Sequence, residues 1–394
     1  MKTTFLIFLV ILCSCANNNP TNTIRTIRIE SCLDDPGRKL PLSHYASSIE
    51  YIVLQSDSNC FFGPLSNPAH DIQFQDSLIF ISDGSQLLLF NYDGTFLRKI
   101  GSKGKGPGEY VNIRNFTTLP KSCQVIIFSS MSQELLYYDF YGNYLKKYPV
   151  DFLPTEILTY RNKLIALNPR GLRKYSDYYT FTNLDDSGKI DERILFHQNE
   201  KDLETRGKQV GIAALTINHY FNQDTLYYWE SIYDTIWRIS PAFKETPAYF
   251  IDYGPNKLPG KFILKSYARL YDEMDQYVKL SVMIATKNQF FFKLDNKIDL
   301  ALILYDLSNG SCSKVRYMDT VSSLPVFGLN NDIDGGLPYW PIGQVNDSIT
   351  FSLVYGYMLK TIINANTSKS VRDIVLNTKQ FDNPILMLVK HKME

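Results

Sequence analysis

The sequence predicts an all-β chain, folded as a β-propeller of four-stranded blades. Three observations carry this expectation. One strand-and-hairpin unit recurs along the chain, one kind of turn launches each copy, and no βαβ alternation interrupts the series.

The unit is clearest near residue 80. Asp76-Ser77 is a polar turn that launches the apolar strand Leu78-Ile79-Phe80-Ile81. A second strand, Leu87-Leu88-Leu89-Phe90, ends in the hairpin turn Asn91-Tyr92-Asp93-Gly94, whose glycine accepts a positive φ. A third, alternating strand follows at residues 95–101. The unit returns at 124–129, 134–142 and 143–150, then at 163–167, 178–188 and 189–196. Later copies lie at 226–230 with 235–239, and at 290–294 with 301–310.

The launching turns set the repeat. They fall at Asp76-Ser77, Lys121-Ser122, Arg161-Asn162, Asp224-Thr225, Lys287-Asn288 and Asp347-Ser348. Intervals of roughly 40 to 65 residues fit four-stranded blades carrying insertions, and six markers make six blades. Two insertions read as helices. Ile263, Tyr267, Leu270, Met274 and Tyr277 recur at helical spacing after Pro259, and residues 364–380 form a weaker pattern. Neither has a Lys/Arg-rich polar face, so both are expected to pack on the propeller flank.

Composition agrees with a large folded domain. The 394 residues are 44% hydrophobic, with 24 Phe and 27 Tyr, which excludes a disordered or collagen-like chain. A formal charge of +1 and the lack of a dense basic run argue against nucleic acid as a partner.

The first residues read as an address. Lys2 precedes the apolar run Phe5 to Leu12, too short to cross a bilayer, followed by Leu12-Cys13-Ser14-Cys15. That tetrad resembles a bacterial lipobox, which makes 1–14 a signal peptide and Cys15 the lipidated N-terminus. Residues 15–39 are then expected to be a tether and 40–394 the propeller. The lipid is the expected membrane anchor, on the periplasmic face of the outer membrane in preference to the cell surface.

Four further cysteines, Cys32, Cys60, Cys123 and Cys312, show no C-x-x-C pairing, so no zinc or thioredoxin-like motif is present. An exported compartment permits disulfides. Cys32 with Cys60 is a conceivable pair, and Cys123 and Cys312 read as buried free thiols.

Four segments stand in an order that resembles a known family. They are Ile49–Leu54, Phe90–Gly101, Gly104-Lys105-Gly106-Pro107-Gly108-Glu109-Tyr110 and Asn383–Lys390. The chain is similar over most of Leu40 to Lys392 to six-bladed, NHL-like propeller lipoproteins of Gram-negative gut-type bacteria. That family is largely without assigned biochemistry. The resemblance implies an exported binding scaffold, and a ring closed by strand Ser48–Gln55 joining Ile342–Val345, Ile349–Val354 and Ile385–Lys390.

Candidate chemistry is sparse. The loop Gly101–Gly108 lacks the Gly-Lys-Ser/Thr of a P-loop and the βαβ setting of a dinucleotide site. Its place between blades would put Glu109 and Tyr110 at the channel mouth, with Lys103 and Lys105 nearby. Tyr339 and Trp340 would add an aromatic platform from the last blade, although aromatic residues also pack between blades. Asn330, Asp332 and Asp334 match half of a calcium loop, but its twelfth position is Pro341, so a polar loop is the better reading. His44, His70, His197, His219 and His391 show no H-x-x-x-H spacing and no evident nucleophile.

The expectation is therefore a non-enzymatic lipoprotein that binds a glycan, small molecule or protein partner on its loop-rich face, with no cofactor and no metal. The alternative is a lyase or glycoside hydrolase acting at the central channel. Two carboxylates, or a His-rich cage, converging in that channel would favour the alternative.

Overall fold

The computed structural model describes residues 24–150, 154, 156–167, 179–185, 190–195, 217–231, 233–259, 277–295, 300–315, 318–321 and 324–393. The signal segment with Cys15, and the helix expected after Pro259, lie outside these residues.

The fold is an all-β propeller. Among the described residues, five four-stranded sheets and one five-stranded sheet follow one another along the chain, with two further two-stranded ribbons. Sheet I comprises Ile72–Gln75, Leu78–Ser82, Leu87–Asn91 and Phe96–Lys99, and sheet II Asn115–Leu119, Gln124–Ser129, Glu134–Asp139 and Tyr144–Pro149. Sheet III is Glu156–Tyr160, Lys163–Leu167, Tyr179–Leu184 and Ile190–Leu195. Sheet IV contains Ile217–Asn222, Thr225–Glu230, Thr235–Ile239 and Glu245–Asp252. Sheet V runs through Leu280–Ala285, Gln289–Asp295, Leu300–Asp306 and Cys312–Val315. Sheet VI orders Gly343–Gln344, Ile349–Val354, Ile385–His391 and Ala46–Val53.

Each launching turn read from the sequence joins the first and second strands of one sheet. The backbone explains the polar residues there. Asp76, Cys123, Arg161, Asn162 and Gln223 all have φ between 51° and 61°, in the left-handed region that a tight reversal needs.

Among the described residues the core is six apolar clusters, each shared by two successive sheets. Leu87 and Leu89 of sheet I meet Phe116 and Ile127 of sheet II, and Ile126 and Phe128 meet Ile157 of sheet III. Leu158 and Ile165 of sheet III meet Leu226 and Tyr228 of sheet IV. Trp229 and Ile236 then pack with Phe290 and Phe292 of sheet V, and Phe291 and Leu304 with Met387 of sheet VI. Leu386 and Leu388 return to Ile79 and Phe90 of sheet I. Alternation explains this use of both faces: Ile126 and Ile127, or Phe290 and Phe291, point to opposite neighbours.

The clasp is as expected. Ala46–Val53 pairs antiparallel with Ile385–His391, so the N-terminal strand completes the sheet built from the C-terminal end. Of the expected insertions, residues 364–380 hold the helix Lys369–Asn377, and Gly356–Ile362 is a second helix that its pattern did not announce. Val371 and Val375 are buried against sheets V and VI, on the flank as anticipated. No helix among the described residues is long and apolar enough to cross a membrane.

Two expectations are corrected. Residues 24–39 are not tether. Arg25–Arg28 adds a parallel fifth strand to sheet IV, burying Ile27 completely, and Cys32 follows on a short helix. A single apolar side chain in a four-residue strand leaves too short a pattern to read. The cysteine assignment also changes. Cys32 pairs with Cys312, at a Cα–Cα distance of 5.6 Å, while Cys60 is a buried free thiol and Cys123 an exposed one.

Candidate functional site

The innermost strand of every sheet faces a central cavity of about 880 Å³. Gln73, Thr117, Thr159, Asn218, Met283 and Gln344 represent the six sheets on its wall. Inner strands of a propeller lie too close to carry large apolar residues on both faces. Here short polar side chains instead tie one sheet to another. Gln73 donates through Nε2 to the Phe116 carbonyl at 2.7 Å, and Asn218 Oδ1 accepts from the Met283 amide at 3.2 Å. Asn115 exchanges hydrogen bonds of 3.0 and 2.8 Å with the carbonyl and amide of Ile157. Such bonds keep the inner backbone in register while leaving hydroxyl and amide groups among the apolar residues of the bore.

One chemically distinct cluster stands on this wall: His70, Glu156 and His219, all of them lining residues. His70 comes from the short helix Pro68–Asp71 that precedes sheet I. Glu156 opens the first strand of sheet III, and His219 lies in the first strand of sheet IV. The closure of the ring brings these three elements together. Glu156 Oε2 is 2.8 Å from His70 Nδ1 and 3.8 Å from His219 Nδ1, and the two rings are 4.9 Å apart.

Burial controls the charge state. Glu156 is 6% exposed, so desolvation works to raise its carboxyl, but the charges of His70 and His219 and the hydrogen bond from His70 bring it below the ordinary range. Burial works to lower His70, and the Glu156 charge and hydrogen bond outweigh it and leave the imidazole raised. Burial drives His219 down to about 4, with the Glu156 charge opposing and the His70 charge reinforcing the fall. At neutral pH the cluster thus combines a carboxylate and a neutral imidazole, and the Nδ1 of that imidazole has no hydrogen-bond partner among the described residues.

The sequence-predicted site residues are not brought together. Ser102–Lys103 pairs in parallel with Glu109–Tyr110, forming a small ribbon between sheets I and II. Glu109 turns inward and accepts from the Gly106 amide at 2.7 Å, while Lys103 and Lys105 are exposed. Tyr110 is 1% exposed within the cluster of sheets I and II, and Tyr339 is fully buried in that of sheets V and VI, bonded to Thr350. Neither phenol ring is open to a ligand. Both are inter-sheet packing, the use of aromatics that their strand positions favour. Of the six residues, Trp340 alone lines the cavity.

The half-calcium loop is closed on itself and its neighbours. Asp332 accepts from the amide and hydroxyl of Ser43 at 2.9 and 2.5 Å. Asp334 accepts from Asn331 Nδ2 and the Gly336 amide at 2.7 and 2.8 Å, and Asn330 bonds through its backbone to Leu40 and Leu42. It reads as a polar loop. Among the described residues, the ligand-type cluster is His70, Glu156 and His219.

A family model described as a domain of unknown function, DUF4934, matches residues 24–390. The chain is similar to the crystal structure of a protein of Bacteroides fragilis that is described, by inference, as exported. The TM-score is 0.69 at 17% identity, covering 94% of this chain and 100% of that one. It is also similar to a member of the DUF4221 family from Bacteroides vulgatus, with a TM-score of 0.51 at 10% identity, covering 88% and 97% of the two chains. At these identities the likeness shows the fold. No curated protein matches the chain in sequence.

Proposed function

We propose that this chain, which belongs to the DUF4934 family, is a six-bladed, exported lipoprotein that binds a small polar ligand in its central channel. One observation carries the reading. A cavity of about 880 Å³ is walled by all the inner strands, within the range of roughly 300 to 1,000 Å³ usual for small-molecule sites. Its hydroxyl and amide lining and the indole of Trp340 suit a hydroxylated ligand such as a short glycan. In this reading the channel replaces the loop at Lys103, Lys105 and Glu109 as the site. Cys15 carries the lipid that holds the domain at the outer membrane.

A second reading, a lyase at the same channel, is favoured by Glu156, held ionised, 2.8 Å from His70, whose raised imidazole holds a proton it can donate, so that a base and an acid are in contact. A glycoside hydrolase would need a second carboxylate at the cluster, and Glu156 is its single acid.

The test is calorimetry of the intact protein against a panel of oligosaccharides and small organic acids, followed by recovery of any ligand bound. Thr159→Trp should fill the bore and weaken binding at least tenfold, while Lys103→Ala with Lys105→Ala should leave it unchanged. The opposite ranking would move the site to the loop. Chemical change of the recovered ligand would favour the lyase.

A further inference from the structure

His70, Glu156 and His219 come from three elements separated by about 150 residues of chain, yet their ligand-type atoms lie within 4.8 Å of one another. A buried ion pair does not require the third member. His70 already sits 2.8 Å from Glu156, and His219 adds a further ring at 3.8 Å whose Nδ1 finds no hydrogen-bond partner among the described residues. Leaving a buried imidazole nitrogen unpaired beside a buried carboxylate costs stability. Something should take up that nitrogen.

The geometry points to a zinc(II) site, formed by one ring nitrogen from each of His70 and His219 and a carboxylate oxygen of Glu156, on the wall of the central channel. Two imidazoles and one carboxylate are a donor set that suits zinc, whereas calcium and magnesium take oxygen donors. With bonds of about 2.1 Å, tetrahedral ligand atoms stand about 3.4 Å apart, close to the 2.8 and 3.8 Å separations found here. Closing a separation of up to 4.8 Å to that spacing needs a shift of about 1.4 Å, which side-chain rotations supply. Zinc would replace the proton shared by His70 and Glu156 as the counter-charge of the buried carboxylate, and the proton is released to solvent.

Three protein ligands leave a fourth position. All three residues line the cavity, so that position faces the bore and the ligand space. This inference deepens the proposed channel site and rests on it: the metal would give the channel an anchor for a carboxylate, a phosphate or a vicinal hydroxyl pair. The sequence carries a trace of it. His70 lies six residues before its launching turn at Asp76, Glu156 five before Arg161, and His219 five before Asp224. These similar offsets relate the three residues to their turns, a relation that distance along the chain conceals.

The experiment is titration of the chelator-treated, full-length protein in detergent with zinc chloride alone. Expected is one equivalent of zinc per chain, with His219→Ala and Glu156→Gln each weakening it at least 100-fold. Cobalt(II) should give the intense visible bands of a four-coordinate N/O site, lost in the same variants. If a variant fails to fold, X-ray absorption of the zinc-loaded parent decides, with two imidazoles in the shell expected. A stoichiometry of zero, affinity unchanged in His219→Ala, or a shell without imidazole would each overturn the site. A channel ligand that binds the metal-free protein as tightly as the zinc-loaded one would also overturn the anchor, while leaving the proposed function standing.

Discussion

Cys32 and Cys312 are joined by a disulfide that connects positions 280 residues apart. Cys32 follows the outermost strand of sheet IV, Arg25–Arg28, and Cys312 opens the outermost strand of sheet V. The bond therefore clamps two neighbouring sheets at their outer edges. A loop this long loses much chain entropy when closed. Cys32→Ser with Cys312→Ser should destabilise the protein by about 2–4 kcal/mol in urea. A midpoint unmoved in the double variant would mean that the clamp is idle. In the native protein, a thiol reagent should label the exposed Cys123 and spare Cys60 until unfolding.

Asn383 is the second fastening. Its Nδ2 donates to the carbonyls of Gln55 and Cys60 at 2.8 and 2.9 Å, and its own amide donates to Ser56 Oγ at 2.9 Å. Only 3% exposed, it pins the chain leaving the clasp strand to the segment entering the final strand. Asn383→Ala leaves the buried Cys60 carbonyl without this donor and the Gln55 carbonyl with the Cys60 thiol alone, and should cost about 1–3 kcal/mol. Asn383→Asp should cost more, since a carboxylate faces those carbonyls without donors. Equal stability of the aspartate variant and the parent in urea would refute this role.

How much of this was legible in the sequence follows from the range of the signals. Strand alternation and the launching turns are local, so residues 72–149 could be read strand by strand from their apolar pattern. The clasp of Ala46–Val53 on Ile385–His391 was legible through family resemblance alone, because no local pattern pairs residues at opposite ends of a chain. Arg25–Arg28 escaped notice since it borrows its ladder from Glu245–Asp252. The cluster of His70, Glu156 and His219 was missed for a related reason: metal-ligand rules look for short spacings on one element, and here each ligand has its own. Tyr110 and Tyr339 were overvalued as site residues because aromatic composition cannot separate a ligand platform from inter-sheet packing.

His391 should make stability depend on pH. Burial lowers its pKa to about 4 from an ordinary 6.5. One ring nitrogen lies 2.7 Å from Thr350 Oγ1, and Nδ1 has no hydrogen-bond partner among the described residues. Between these values the unfolded chain binds a proton that the native chain does not. Its full contribution is therefore present above about pH 6.5 and is lost as the pH falls toward 4, amounting to about 3 kcal/mol. Other buried groups titrate in the same window, so the comparison must be with His391→Gln. Urea midpoints at pH 7 and pH 5 should differ less in that variant than in the parent. Identical pH slopes would show that His391 already carries its proton in the native state.

The loop at Gly101–Tyr110 gives the sharpest contrast between architecture and binding. Burial raises the Tyr110 phenol to about 12, and its carbonyl accepts from the Gly104 amide at 2.9 Å. Tyr138 reaches across from sheet II to donate to the Gly108 carbonyl, also at 2.9 Å. Gly108 has φ +75°, and a Cβ there would meet the Tyr144 ring at 2.7 Å, so both conformation and space require glycine. Every one of these constraints serves the junction of sheets I and II. Tyr110→Ala should therefore open a cavity and cost about 3–5 kcal/mol, and Gly108→Ala should also destabilise. Lys103→Ala and Lys105→Ala, exposed on the same loop, should stay within about 0.5 kcal/mol of the parent. Urea titration of the four variants checks the ranking. If Tyr110→Ala unfolds at the parental midpoint, its ring does not hold the junction. The loop would then have to be reconsidered as a surface whose phenol is free to meet a ligand.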